Sequence, residues 1–427
     1  MTSRYKAYPE YKDAGVKCLK DIPKHWNISK IRFITSFGRG LGITKANLKD
    51  TGIPCVNYGE VHSKYGFEVA PAKHSLKCVD EDYLISSPES LLSKGDFVFA
   101  DTSEDIEGSG NFTQLVSDEA LFAGYHTVIV RPIVGNYYRF LAYVFDSLEY
   151  RTQVRYAVKG VKVFSVTQAI LKNTNVWLPT FEEQQKIANF LDHETAKLDS
   201  LIAKQEKLMA LLKEKRQAVI SHAVTKGHNP DAKMKDSGVE WLGEIPEHWE
   251  MKRLKYIGEA KNGLTYSPAN VVPKEEGVLV LRSSNIQDAK LSFKDNVYVD
   301  IEIPERIKVK ENDLLICSRN GSRKLIGKNA LITKAEVGMA FGAFMVLYRS
   351  KINPYLYWVF NSPLFEYQSG SFLTSTINQL TIGNLDSMEI PLPPSDEREE
   401  IEGYLIEKNK YFFLLNTKAE QKVKFLK

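Results

Sequence analysis

KDAGVKCLKDIPKHWNISKIRFI, residues Lys12 to Ile34, returns as KDSGVEWLGEIPEHWEMKRLKYI at Lys235 to Ile257. The offset is a constant 223 residues, no gap is needed, and ten of 23 positions are identical. Unrelated segments of ordinary composition would share about one or two. A repeat at half the length of a 427-residue chain means two copies of one domain, because solenoid periods are far shorter.

The halves match again near their ends. Residues 167–191 read TQAILKNTNVWLPTFEEQQKIANFL and residues 381–405 read TIGNLDSMEIPLPPSDEREEIEGYL, now at an offset of 214. Each copy has an apolar strand-like run that Pro179 or Pro393 stops, since proline cannot donate to a ladder. A Glu/Gln-rich helix follows. Ser395 with Asp396 and Glu397 suits a helix start, acids lying near the positive end of the dipole. From about Glu182 to Thr225 there is no Pro or Gly. Ala188, Leu191, Thr195, Leu198, Ile202, Met209, Leu212, Val219 and Ala223 fall at heptad positions, with breaks at Gln205 and Arg216. Ile401, Leu405, Phe412, Leu415, Ala419 and Leu426 form the second stripe. So narrow a stripe on so long a helix exceeds what one small domain covers. The two stripes are therefore expected to pair as an antiparallel rod with a globular half at each end.

Between repeat and helix the halves agree only in outline. Leu92–Phe99 parallels Val309–Ile316 as a tight polar turn feeding a buried strand, and Ala123–Arg131 parallels Phe341–Arg349. Val144–Ser147 parallels Val359–Ser362. The segments after the turn differ sharply: Asp101–Phe112 in one half, Ser318–Leu325 in the other. Strands with a short helix make the halves α+β, and one frame carrying two unlike polar loops suits two readers of two targets.

Composition narrows the class without choosing it. A hydrophobic fraction of 43% supports folded cores, and a net charge of +4 permits a nucleic-acid partner without demanding one. Cys18, Cys55, Cys78 and Cys317 form no CxxC pair and no His lies at zinc-ligand spacing, so reduced thiols are expected rather than a metal site or disulfide scaffold. The N-terminal MTSRYKAYPEYKD lacks an apolar signal core and no run of 18 apolar residues occurs, so neither export nor a membrane span is expected.

Catalytic signatures are wanting. Gly38–Gly42 is glycine-rich but lacks GxGxxG spacing, and reads as a flexible turn. GSRKLIGK at Gly321–Lys328 mimics a P-loop, but five residues separate its glycines and Asn329 stands where Ser or Thr is needed. Asn353-Pro354-Tyr355 is one proline short of the amino-methyltransferase NPPY motif. His25 and His248 sit beside Trp26 and Trp249 at matching repeat positions, which reads as a structural corner rather than a base or ligand. No HExxH or GxSxG occurs.

The KDSGVEWLGEIPEHWEMKRLKYI phrase, the Asn175–Gly227 box and the turn at Lys94-Gly95-Asp96 together closely resemble the specificity subunit of type I restriction–modification systems, over nearly the whole chain. The resemblance implies a non-catalytic subunit that recognises a bipartite double-stranded DNA target with an unread spacer. It implies two methyltransferase subunits and a motor-endonuclease as partners. S-adenosylmethionine, ATP and Mg belong to those partners, no cofactor is bound by this chain, and the location is cytoplasmic. The implied fold is α+β: two similar globular target-recognition domains joined by two long helices forming an antiparallel coiled coil, an internal pseudo-two-fold repeat. The boundaries are residues 1–175, a central helical region 176–230, a second domain 231–390 and a terminal helical region 391–427. Two departures stand out: Glu183-Gln184 becomes Glu397-Arg398, and the second helix ends before any counterpart of Arg216–Gly227.

Matched faces of a duplex recur every turn, about 34 Å or about 10 bp, so two short elements about a turn apart are expected. The candidate DNA contacts in the first domain are Arg39, Lys45, Asn57, Tyr58, Ser103, Asn111 and Gln114. In the second they are Arg282, Ser283, Asn285, Arg319, Asn320, Arg323 and Lys324. Arg suits guanine and Asn or Gln suits adenine, while scattered Lys and Arg meet phosphates. On the residues alone, a stand-alone methyltransferase or nuclease, and a coiled-coil scaffold without DNA binding, remain as other classes.

Overall fold

The computed structural model describes residues 7–133, 135–158, 160, 163–372 and 378–426. Its contacts divide the chain into two compact units between Leu198 and Asp199.

In the first unit the strands are β1 (Thr35–Arg39), β2 (Ile53–Val56), β3 (Phe67–Val69), β4 (Phe97–Ala100), β5 (Phe112–Leu115), β6 (Leu121–Ala123) and β7 (Thr127–Pro132). Helices α1 (Tyr138–Asp146) and α2 (Leu148–Ala157) follow, then α3 (Phe181–Lys226). The main sheet runs β1-β7-β4-β5-β3, and a second sheet pairs β2 with β6 in parallel. Phe97, Phe99, Phe112 and Phe145 stack at the centre of the core, all essentially without exposure.

The second unit repeats this with β8 (Glu259–Asn262), β9 (Val278–Leu281), β10 (Leu314–Cys317), β11 (Asn329–Leu331), β12 (Ala340–Phe341) and β13 (Met345–Arg349). Helices α4 (Asn353–Phe360), α5 (Pro363–Ser371) and α6 (Ser395–Leu426) complete it. Its main sheet runs β8-β13-β10-β11, and β9 pairs with β12 in parallel.

The repeated interactions are more alike than the repeated letters. Before β4 the chain turns through Gly95 at φ +94°, and before β10 through Asn312 at φ +65°, a region open to Gly and to Asn at low cost. The next residue closes each turn. Asp96 Oδ2 accepts from Ser93 N at 2.9 Å and Arg131 Nε at 3.0 Å; Asp313 accepts from Lys310 N and Arg349 Nε, both at 2.7 Å. Gly38–Gly42 is no flexible turn. A Cβ on Gly40 would lie 1.9 Å from Gly124 O, and one on Gly263 would lie 2.2 Å from Gly342 O, so close backbone approach dictates glycine at both.

The His-Trp corner is structural, and its partner is the glutamate that opens each long helix. His25 Nε2 and Trp26 Nε1 reach Glu183 at 2.9 and 3.2 Å. His248 Nε2 and Trp249 Nε1 reach Glu397 at 2.6 and 2.9 Å. Gln184 and Arg398, which look like a departure, do one job: Gln184 Nε2 donates to Pro179 O at 3.0 Å and Arg398 Nη1 to Pro393 O at 3.4 Å.

Burial alone would raise the Glu183 carboxyl, but hydrogen bonds from Tyr8, His25 and Trp26 hold it below the ordinary range. Its folded value therefore lies below its unfolded one. The contribution is complete above the unfolded titration and is lost as pH falls through the lowered value. In an unfolding series below the ordinary glutamate range, Glu183→Gln should flatten the acid limb of the first unit; an unchanged slope would contradict this.

The 46-residue α3 is about 69 Å long. Its first turns belong to the first unit, where Ala188 is buried and Asp192 accepts from Arg139 and Tyr143, both at 2.7 Å. Its last turns belong to the second unit's core, where Ile220, Ala223 and Val224 pack with Ile401 and Leu405 of α6. Arg216, a break in the heptad, donates to Asn409 Oδ1 at 2.7 Å.

Candidate nucleic-acid interface

The loops that differ most between the halves leave the same place in each frame, after β4 and after β10. In the first unit the loop Asp101–Asn111 is pinned from behind. Arg155 Nη2 donates to Glu107 O at 2.6 Å, Ser103 Oγ to Asp105 O at 2.6 Å, and Asp105 Oδ1 accepts from Gly108 N at 2.5 Å. Its exposed tip is Glu104, Asp105, Ile106 and Glu107. In the second unit the tip is basic, with Arg319, Arg323 and Lys324 exposed.

Several expected contacts are engaged elsewhere. Gln114 is buried and donates to Tyr138 O at 3.0 Å, tying β5 to α1. Asn57 is buried as the cap of a short helix, its Oδ1 accepting from Tyr125 N at 3.3 Å. Asn285 is buried, and its Nδ2 donates to Ser292 O and Asp295 O, each at 3.0 Å. Ser103 is buried under its own loop. Asn111 is half-buried between Arg151 Nη1 at 2.6 Å and His62 Nδ1 at 3.0 Å. Gln114, Asn57, Asn285 and Ser103 each bond backbone of their own unit and Asn111 bonds two side chains, so these polar groups are committed inside the fold, Asn57 Nδ2 excepted. The four buried ones present no surface to a base, and the half-buried Asn111 is engaged at both ends of its amide.

The others reach solvent. Arg39 at the end of β1 and Lys45 are exposed; Tyr58 is half-buried against Tyr125 and His126. Arg282 is half-buried with Nη2 2.9 Å from Asp295 Oδ2, and Asn320 Nδ2 donates to Ser283 Oγ at 3.1 Å. Arg323 Nη2 donates to Gly370 O at 3.0 Å. The guanidinium of Arg319 lies 5.4 Å from the centre of the Phe344 ring.

His126 and Phe344 went unselected in the sequence, although the match of Ala123–Arg131 with Phe341–Arg349 puts them at one frame position. Both project: the His126 side chain is 60% exposed and Phe344 is 59% exposed. Each borders a cavity, of about 710 Å³ at His126 and about 630 Å³ at Phe344. The first is lined by Arg39, Asp101, Gln168 and Lys172 together with Leu41, Ile43, Val128 and Val166, the second mainly by apolar side chains.

Among the described residues no group of His, Cys, Asp or Glu is arranged to hold a metal ion, and no helix is long and apolar enough to cross a membrane. Cys55, Cys78 and Cys317 are buried free thiols, and burial pushes Cys55 up to about 12. These are filling residues, not nucleophiles.

The family model described as the type I restriction modification DNA specificity domain matches residues 23–209 and again residues 246–425. The chain is 25% identical over 397 residues to the type I restriction enzyme EcoKI specificity subunit of Escherichia coli strain K12, covering 89% of this chain and 81% of that protein. It is 24% identical over 409 residues to the putative type I restriction enzyme MjaX specificity subunit of Methanocaldococcus jannaschii, covering 92% and 89%. In fold it is similar to a chain from a structure of type I R-M complex assembly, with TM-score 0.69, 16% identity and 95% of both chains covered. The HsdS subunit from Thermoanaerobacter tengcongensis gives TM-score 0.54 at 14% identity, covering 95% of this chain and 94% of that one.

Proposed function

The chain belongs to the type I restriction–modification DNA specificity family, and from that premise we propose that it is the non-catalytic subunit that selects a bipartite DNA sequence for associated modification and restriction subunits. One observation carries the reading: a hydrogen-bonded frame occurs twice, to the level of Asp96–Arg131 and Asp313–Arg349, while the loops it holds up are unlike. A single target in two equal copies would need like loops, so the two halves read different sequences.

Arg39, Lys45 and Tyr58 in the first unit, and Arg282, Ser283, Arg319, Asn320, Arg323 and Lys324 in the second, are the DNA contacts in this reading. Helices α3 and α6 pair as an antiparallel coiled coil that sets the spacer. The packing of Ile220 and Val224 with Ile401 and Leu405, and the Arg216–Asn409 bond, support that pairing. Two methyltransferase subunits and a motor-endonuclease supply the chemistry, with S-adenosylmethionine, ATP and Mg; this chain binds none of these cofactors and acts in the cytoplasm.

Arg319→Ala tests the division of labour. Binding to the cognate duplex by the complex with methyltransferase should weaken by about 1–3 kcal/mol, with base preference relaxed in one half-site and intact in the other. An equal loss at both halves would mean that Arg319 meets phosphate only, and methylome sequencing with and without the gene gives the target itself.

A further inference from the structure

Resting on the DNA-reading role above, we propose that the second unit recognises a thymine through the cavity beside Phe344, the apolar wall taking the 5-methyl group and Arg282 donating to the adjacent O4.

The wall is Leu264, Tyr266, Val271, Val297, Phe344 and Met345. Two of these reach solvent broadly, Phe344 at 59% and Val271 at 46% exposure, which leaves apolar surface open at the cavity. The Arg319 backbone N–H donates to Phe344 O at 3.1 Å, and its guanidinium lies 5.4 Å from the centre of the ring. The ring is thus a fixed part of the surface.

The rim supplies donors. Arg282 is steered by Asp295, 2.9 Å away, and its Nε is buried without a hydrogen-bond partner; Ser284 Oγ at the same cavity is in the same condition. The Arg282 side chain as a whole is 33% exposed, so its guanidinium presents a donor at the rim. Apolar wall beside cationic donor is a definite chemical pattern. In the major groove only thymine offers an acceptor, O4, next to a methyl group; guanine offers two acceptors and no methyl, and cytosine offers a donor. The occupant that fits is therefore the edge of a thymine, not a phosphate or a second protein.

The first unit provides the internal contrast. At the same frame position it has His126 in place of Phe344, paired with Asp101 at 3.3 Å, in a cavity lined by Arg39, Gln168 and Lys172. That lining mixes charged groups with Leu41, Ile43, Val128 and Val166, and the residue that projects over it is an imidazole, not an apolar ring. The Phe344-dependent sensitivity to the methyl should therefore belong to the half-site that the second unit reads.

The experiment uses the full chain in complex with its methyltransferase subunits and duplexes carrying the cognate sequence. Each thymine is replaced in turn by deoxyuridine, which lacks only the 5-methyl. At one thymine of the half-site that Arg319→Ala relaxes, the replacement should weaken binding about fourfold, the worth of one buried methyl. Phe344→Ala should bind thymine and deoxyuridine alike there, and Phe344→Leu, which restores an apolar wall, should recover most of the difference. Phe344 is exposed, so neither variant threatens the fold. A wild-type complex indifferent to deoxyuridine throughout that half-site, a half-site without thymine, or a penalty that survives Phe344→Ala would each overturn the assignment while leaving DNA reading intact. Absence of any sequence preference in the wild-type complex would instead overturn the DNA-reading role, and this assignment with it.

Discussion

Asp313→Ala should destabilise the second unit by about 3–5 kcal/mol, the usual result of removing one partner from a buried ion pair. The Asp313 side chain is 2% exposed and has no water to fall back on, and Arg349, 22% exposed, has little. The carboxylate also accepts the Lys310 N–H that closes the turn before β10, so the substitution strands a guanidinium and frees a backbone donor together. Asp313→Asn keeps an acceptor for that N–H and should lose less. Denaturant unfolding read by hydrogen exchange in β10 and β13 would locate the loss in the second unit. A change below about 1 kcal/mol would place the pair with weak surface bridges. The twin substitution Asp96→Ala should cost less. Burial pushes the Asp96 carboxyl up despite the Ser93 N–H and Arg131, so that charge is less well compensated to begin with.

Trp249→Ala should have an effect of the same order, about 3–5 kcal/mol for deleting a fully buried aromatic. Trp249 has no exposed surface and packs in one core with Ile245, the last turns of α3 and the first turns of α6. Trp249→Phe would separate the terms: it keeps most of the packing and removes the Nε1 donor to Glu397, costing about 1.5–3 kcal/mol for a bond to a charged acceptor. Trp26→Ala, at the matching position of the first unit, should cost clearly less because Trp26 is only half-buried. Equal losses at the two sites would refute the claim that the difference in burial decides the cost.

The frame was largely readable in the sequence. A gapless repeat, a proline-stopped strand and a heptad stripe are local patterns, and they bounded the long helix at Glu182–Thr225 against Phe181–Lys226 in the structure. The reading surface was not readable to the same degree. Gln114 is separated by 24 residues from its Tyr138 partner, and Asn285 by ten from Asp295, so no local pattern tells a buried amide from an exposed one. Letter for letter Arg398 breaks the signature, yet its donor reaches the Pro393 carbonyl, the counterpart of the Pro179 carbonyl that Gln184 reaches. His126 and Phe344 were aligned but unlike, and only their shared projection beside a cavity marks them.

The turn that Gly95 and Asn312 share has a bearing on how such a protein changes over generations. Backbone geometry restricts that site to a few residue types, and the carboxylate after it ties the turn to its own unit. Neither constraint reaches the loops after β4 and β10. Mutations can accumulate in those loops without passing through an unfolded ancestor, while the joints beneath them stay fixed. A lineage built this way can acquire new preferences one half at a time, and its kinship is better traced through its hinges than through its fingertips.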